Sequence, residues 1–282
     1  SNTALGGNST MFANTTGANN VAVGLSALQS NTTADENTAV GRGALAANTT
    51  GTPNTAVGSL TLTANTTGAS NTAMGRQSMQ ANTTGSYNVA VGRCSLKANT
   101  TANSNVAIGT ESLDVNTTGA DNTAVGTNAL GANTTGAQNV AIGSSSLAAN
   151  TIGDQNVAIG QNSLDSNTEG QKNVAIGFKA LCTNTTADQV VAVGCGALIS
   201  NTTGANNVAV GSLSLEGTTT GSDNTAAGPA SGLSLTTGSN NLLLGHDAGR
   251  SNSPNTVTTG SDRIVLGNNS ITNAYIRVDW TV

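Results

Sequence analysis

The feature that most constrains this chain is a 17-residue period that holds without slippage from Asn20 to Asn241. Units begin at Asn20, Asn37, Asn54, Asn71 and onward, and Val190 replaces Asn once. A fixed period over about fourteen copies is the mark of a solenoid, in which each unit stacks on the next and cannot bury its apolar face alone. Position 5 of the unit is Gly in every copy, from Gly24 to Gly245, and position 15 is usually Gly, with Ala at Ala34, Ala102 and Ala187. Gly fixed after an apolar run marks a reversal with positive φ or close backbone approach. The segments between corners are short and rich in Val, Ile and Thr, which disfavours helix. The expectation is an all-β fold: a parallel β-solenoid, or β-roll, of 17-residue repeats with two short strands per turn. At ~4.8 Å per turn, fourteen turns make a rod of about 65–70 Å.

The first segment reads Asn-Val/Thr-Ala-Val/Ile-Gly. Strand alternation places positions 2 and 4 on one face and position 3 on the other. Both faces are non-polar, which implies burial on both sides. Position 3 is Ala22, Ala39, Ala56, Ala73, Ala90, Ala107, Ala124, Ala141, Ala158 and Ala175 in the first ten units. Such uniformly small residues suit a close approach of several chains. These alanines are therefore expected at the axis of an obligate oligomer. Leu at position 9 (Leu28, Leu45, Leu62, with Met79 once) should fill the coil. Asn31, Asn48, Asn65 and Asn82 should stack into a hydrogen-bonded ladder.

Three regions follow: a partial repeat or cap over 1–19, the solenoid over 20–245, and a neck or cap over 246–282. The last begins where Leu242-Leu243-Leu244 interrupts the Ala pattern. The spacing from Gly245 to Gly267 is 22, and the extra residues are expected to bulge near Arg250 to Pro254. The start at Ser1, in mid-pattern, suggests a processed or partial product.

Composition argues against chemistry. Charged residues are 8% of the chain and the net charge is −5, with no Lys/Arg run, so nucleic acid is a poor partner. No apolar stretch nears the ~18 residues a membrane helix needs, so no membrane insertion is expected. No secretory signal is visible. Cys94, Cys182 and Cys195 fit no zinc spacing and read as unpaired thiols, consistent with assembly in a reducing cytoplasm. His246 is the sole histidine; followed only by Asp247, it reads as a surface residue, and no metal or cofactor is expected. Scattered carboxylates such as Asp114, Asp165 and Asp247 recommend no catalytic residue. The recurrent Asn-Thr-Thr is a glycosylation sequon in form, but repeat architecture explains it. The Thr rows at positions 13 and 14 (Thr32, Thr33, Thr49, Thr50) carry a minor alternative, an ice-binding face.

The run Asn105 to Gly109, repeated at Asn139, Asn156 and Asn173, resembles the repeat of trimeric autotransporter adhesin heads. That resemblance implies trimers of left-handed parallel β-rolls. The 17-residue unit is longer than is typical there. The stretch Thr259 to Trp280 resembles the segment that precedes the intramolecular chaperone of phage tail fibres. In that family the chaperone trimerises the shaft and cuts itself off, and Val282 lies about where such a cut falls. Together the resemblances imply a structural or adhesive fibre of a bacteriophage tail, located in the virion. The implied partners are its own copies, other tail proteins and a host-surface receptor, glycans included. The alternative is a trimeric adhesin head at a bacterial surface. Tyr275, Arg277 and Trp280 cluster near the end as a candidate receptor-contacting tip or an apolar cap.

Overall fold

A computed structural model describes residues 1–7, 9–250, 257–268, 270 and 271. Sixteen three-residue strands, from β1 (Thr3–Leu5) to β16 (Ile264–Leu266), form one parallel sheet in strict chain order. Neighbours pair in register, Ala22 beside Ala39 and Ala141 beside Ala158. The chain is thus a parallel β-solenoid, and among the described residues it has no helix.

Each turn carries one strand, where two were expected. The second segment is a chain of turns, and its residues at positions 7 and 9 adopt left-handed backbone. The position-9 residues Leu28 through Leu215, with Met79 among them, have φ between 49° and 54°. Position 8 and position 9 are both fully buried, as in Ala27–Leu28 and Ser146–Leu147. A flat strand would send adjacent residues to opposite faces. The left-handed residue swings both inward. Isolated left-handed Leu costs roughly 1–2 kcal/mol. Here the conformation is held by bonds between turns, such as Leu28 N–H to the Ala44 carbonyl at 3.0 Å and Leu130 N–H to Ser146 at 3.0 Å.

The alanines of position 3 are also placed differently from expectation. Ala22, Ala39, Ala56, Ala73, Ala90, Ala107, Ala124, Ala141, Ala158 and Ala175 are 0% exposed within a single chain. They line the coil's own interior with the Leu column, so they cannot meet at an axis between chains. Their size is set by the narrow coil: the inner wall opposite is already filled by positions 8 and 9. The faces are inverted, and positions 2 and 4 point outward.

Two columns of buried Asn hold the interior together. At position 12 each side chain donates Nδ2–H to Oδ1 of the Asn one turn earlier, without a break from Asn14 to Asn201. The expected ladder is therefore present. It ends because Thr218 follows and donates to the Leu235 carbonyl instead, leaving Asn201 Oδ1 buried without a partner. The second column is position 1. Asn122 accepts the Asn139 N–H on Oδ1 at 3.0 Å and donates to the Gly136 carbonyl, 14 residues on, at 2.9 Å. One side chain thus ties a turn to the next and closes its own turn. The Gly136 carbonyl also receives Asn133 at 2.9 Å.

This geometry makes Asn133→Asp a pH-sensitive lesion. Asn133 donates to Asn116 Oδ1 and the Gly136 carbonyl; a carboxylate would confront both oxygens with no donor. The expected loss is about 2–3 kcal/mol at neutral pH. Protonation restores a donor, so the folded pKa of the introduced acid lies above the unfolded value of ~3.9. The stability is retained below the unfolded pKa and lost as pH rises through the folded one. Urea midpoints for variant and parent should converge on acidification; parallel curves would contradict the ladder's role.

At the ends, the sheet runs further than the sequence divisions. β1 pairs with β2 (Val21–Val23), so the partial repeat is already a rung. β15 (Leu242–Leu244) pairs with β16 at the 22-residue spacing, so the solenoid continues into the segment expected to be a neck. Arg250 pairs with Asp247 at 2.9 Å, while 251–254, the rest of the expected bulge, lie outside the described residues.

Candidate interaction surface

With the interior sealed by its own side chains, what this chain can do resides on its outer sides. One is the outer face of the sheet. Positions 2 and 4 form two parallel rows over its length: Val21, Thr38, Thr55 and onward in one, Val23, Val40, Val57 and onward in the other. From Val21 to Leu244 neither row contains a charge. The side chains are half-buried or exposed, reaching 44% for Met74 and Val210 and 40% for Ile108. In-register pairing lines them up at the ~4.8 Å strand spacing. Thr and Val are near-isosteric, which keeps the surface level as they alternate.

The Thr side is different. Position-13 hydroxyls are committed along the axis: Thr83 donates to the Thr100 carbonyl at 2.9 Å, and Thr134 to Thr151 at 3.0 Å. The exposed position-14 row is broken by Ile152 and Glu169. A regular array of free hydroxyls, which the ice-binding alternative requires, is therefore interrupted.

The third side spans positions 6 to 11 and varies from turn to turn. Arg42, Arg76 and Arg93 stand at position 6, exposed, and Arg93 pairs with Glu111. A shallow notch of about 270 Å³ lies alongside, lined by Gln80, Ala81, Lys97, Ala98, Asp114 and Val115. Burial pushes the Asp114 carboxyl above the usual range, against the opposing pull of Lys97.

His246 is an exposed surface residue, 3.4 Å from Asp247 and beside Asn268. Cys94, Cys182 and Cys195 are free; burial raises the Cys182 thiol, with Asp165 adding to the effect. Among the described residues no cluster of three or more His, Cys, Asp or Glu could hold a metal, and no helix is long and apolar enough to cross a membrane. Tyr275, Arg277 and Trp280, the candidate tip, lie outside the described residues.

Two features, one of the surface and one of the interior, escaped the sequence reading. One is the outward Val/Ile/Thr face, hidden by an alternation that pairs residues to faces without saying which face is inner. The other is the double role of the position-1 Asn, whose recurrence in all copies but the one with Val190 was a usable signal. A scan against protein-family models finds no match, and a search of curated proteins finds none.

Proposed function

We propose that this chain is the shaft of a bacteriophage tail fibre, working as a homotrimer whose subunits meet through the outer faces of their sheets. The observation that carries the reading is the uncharged Val/Ile/Thr face. An apolar strip this long is unusual on a surface that serves only water. Three-residue strands are about 10 Å wide, so fourteen rungs offer roughly 650 Å² per chain. Two such faces exceed the ~1,000 Å² that a specific interface needs. A second copy of the same coil is the partner that matches the row spacing over the whole length, and three copies around one axis close the assembly without an open edge. The Asn-Val-Ala-Ile-Gly repeat, similar to that of trimeric adhesin heads, supports the trimer, and the resemblance of the C-terminal stretch to segments preceding a fibre chaperone supports the assignment to a tail.

The role follows from mechanics. A coil held by inter-turn bonds and two Asn columns is stiff along its axis, and a trimer of such coils keeps a contact surface at a fixed distance from a particle. The shaft, or what it carries, then engages a receptor on the host cell. The test is immunogold labelling with antibodies raised against the chain. Decoration of tail fibres on phage particles is the expected result. Decoration of bacterial cells instead would assign the chain to the adhesin alternative and overturn the proposal.

A further inference from the structure

We infer that the corner of the coil bearing Arg42, Arg76 and Arg93 binds an anionic polysaccharide. The inference deepens the proposed role at a cell surface and rests on that reading for where the ligand is found. It starts from charge distribution. The chain has nine cations and fourteen acids. Between residues 37 and 110 it has four cations (Arg42, Arg76, Arg93, Lys97) and no Asp or Glu, leaving five cations and fourteen acids elsewhere. A net +4 band therefore interrupts an otherwise acidic rod.

The repeat concentrates this charge. Three of the four cations occupy position 6, so they project from one corner in turns two, four and five of the coil. Arg76 and Arg93 are one rung apart, about 4.8 Å along the axis, and Arg42 is two rungs further, about 9.6 Å. The corner is not a loose loop. Its backbone is pinned turn to turn by Leu60 N–H to Arg42, Cys94 N–H to Arg76 and Glu111 N–H to Arg93, at 2.9–3.1 Å. The guanidinium groups thus rise from fixed points, all three side chains exposed. Among the described residues Arg42 and Arg76 have no carboxylate partner, and Arg93 has Glu111. Like charges stacked at this pitch repel, and nothing in the coil requires them.

The ligand class follows from the arrangement. A row of guanidinium groups at a fixed pitch suits a polymer with repeating carboxylate or phosphate groups, each able to take two N–H donors. Beside the row, the notch lined by Gln80, Lys97 and Asp114 offers amide, ammonium and carboxyl groups for hydroxyls. Gln77, next to Arg76 in the chain, donates to Gln80 of the notch at 3.2 Å. Over turns two to five this side carries no aromatic; the exposed Phe178 of the same corner stands five turns beyond Arg93, out of reach for stacking beside the arginine row, which favours a sugar polymer over nucleic acid.

The test immobilises the full chain and measures binding of polygalacturonate (carboxylate), poly(ribitol phosphate), neutral dextran and double-stranded DNA. Salt is set at about 0.01 M and about 0.15 M, where the Debye length falls from ~30 to ~8 Å. One or both anionic glycans should bind, more weakly at the higher salt, with dextran inert; which glycan binds identifies the anion. Arg42→Gln/Arg76→Gln/Arg93→Gln should weaken binding on the order of tenfold or more. Lys172→Gln/Lys179→Gln, removing cations elsewhere, should not. Glu111→Gln, which frees Arg93, should tighten it. Absence of glycan binding, equal loss in the lysine control, or DNA binding as tight as glycan binding overturns the inference. Sedimentation of the same samples separates the two readings. A trimer that does not bind sinks this site alone, and a monomer that binds sinks the assembly alone.

Discussion

Gly126→Ala should destabilise the coil by about 3–5 kcal/mol, far beyond the effect of the same change ten residues later. Gly126 has φ +137°, a backbone region that residues with a Cβ avoid. The added Cβ would stand 2.5 Å from the Gly143 carbonyl oxygen and 2.6 Å from its carbon. That neighbour cannot retreat, because the Gly143 N–H is bonded to Val125 and the Gly126 N–H to Ile108, each at 2.8 Å. Gly136 is the informative control. Its Cβ would also come within 2.5 Å of a carbonyl, that of Gly153. Yet its φ is not positive, and the chain itself places Ala34, Ala102 and Ala187 at the equivalent position, buried at 2–4%. Gly136→Ala should cost no more than about 1 kcal/mol. Urea unfolding of the two variants measures the difference; equal midpoints would show that position 5 is not the constraint.

Val140→Lys combined with Ile142→Lys should reduce the assembly to single chains. Both residues lie on β9 (Val140–Ile142) with their side chains outward, Ile142 at 39% exposure. In one coil the lysines reach water at little cost. In the proposed trimer they bring six ammonium groups to one level of the axis, unpaired and desolvated. An unpaired buried charge costs roughly 3–5 kcal/mol, before mutual repulsion is added. Thr33→Lys, on the Thr side, adds charge without touching that face and should leave the mass unchanged. Dissociation by both variants would point to net charge, and by neither would remove the sheet face from the interface.

What the sequence disclosed and what it hid have physical reasons. The 17-residue period exposed the coil, its pitch and the stacking of Asn31 on Asn48, because identical residues at a fixed period in a parallel stack must superimpose. Leu at position 9 was legible as interior for its bulk alone. The left-handed φ of that Leu was not. Nothing about a lone Leu favours the conformation, which is imposed by bonds from the turns above and below. The same ambiguity reversed the faces. Ala22 and Val23 point oppositely under any reading, and only the filled inner wall shows that the methyl group goes inside. The candidate surfaces were therefore only half visible: Arg42, Arg76 and Arg93 share position 6 of the period, but their common ridge depends on the pitch of the stack.

Sedimentation equilibrium of the purified chain tests the central claim most directly. The chain mass is 27.5 kDa, and a homotrimer built on the Val/Ile/Thr face should sediment at three times that value, independent of concentration across the working range. A folded, stable species at 27.5 kDa would contradict it, leaving the outer face of the sheet exposed in solution and the fibre assignment without its principal support.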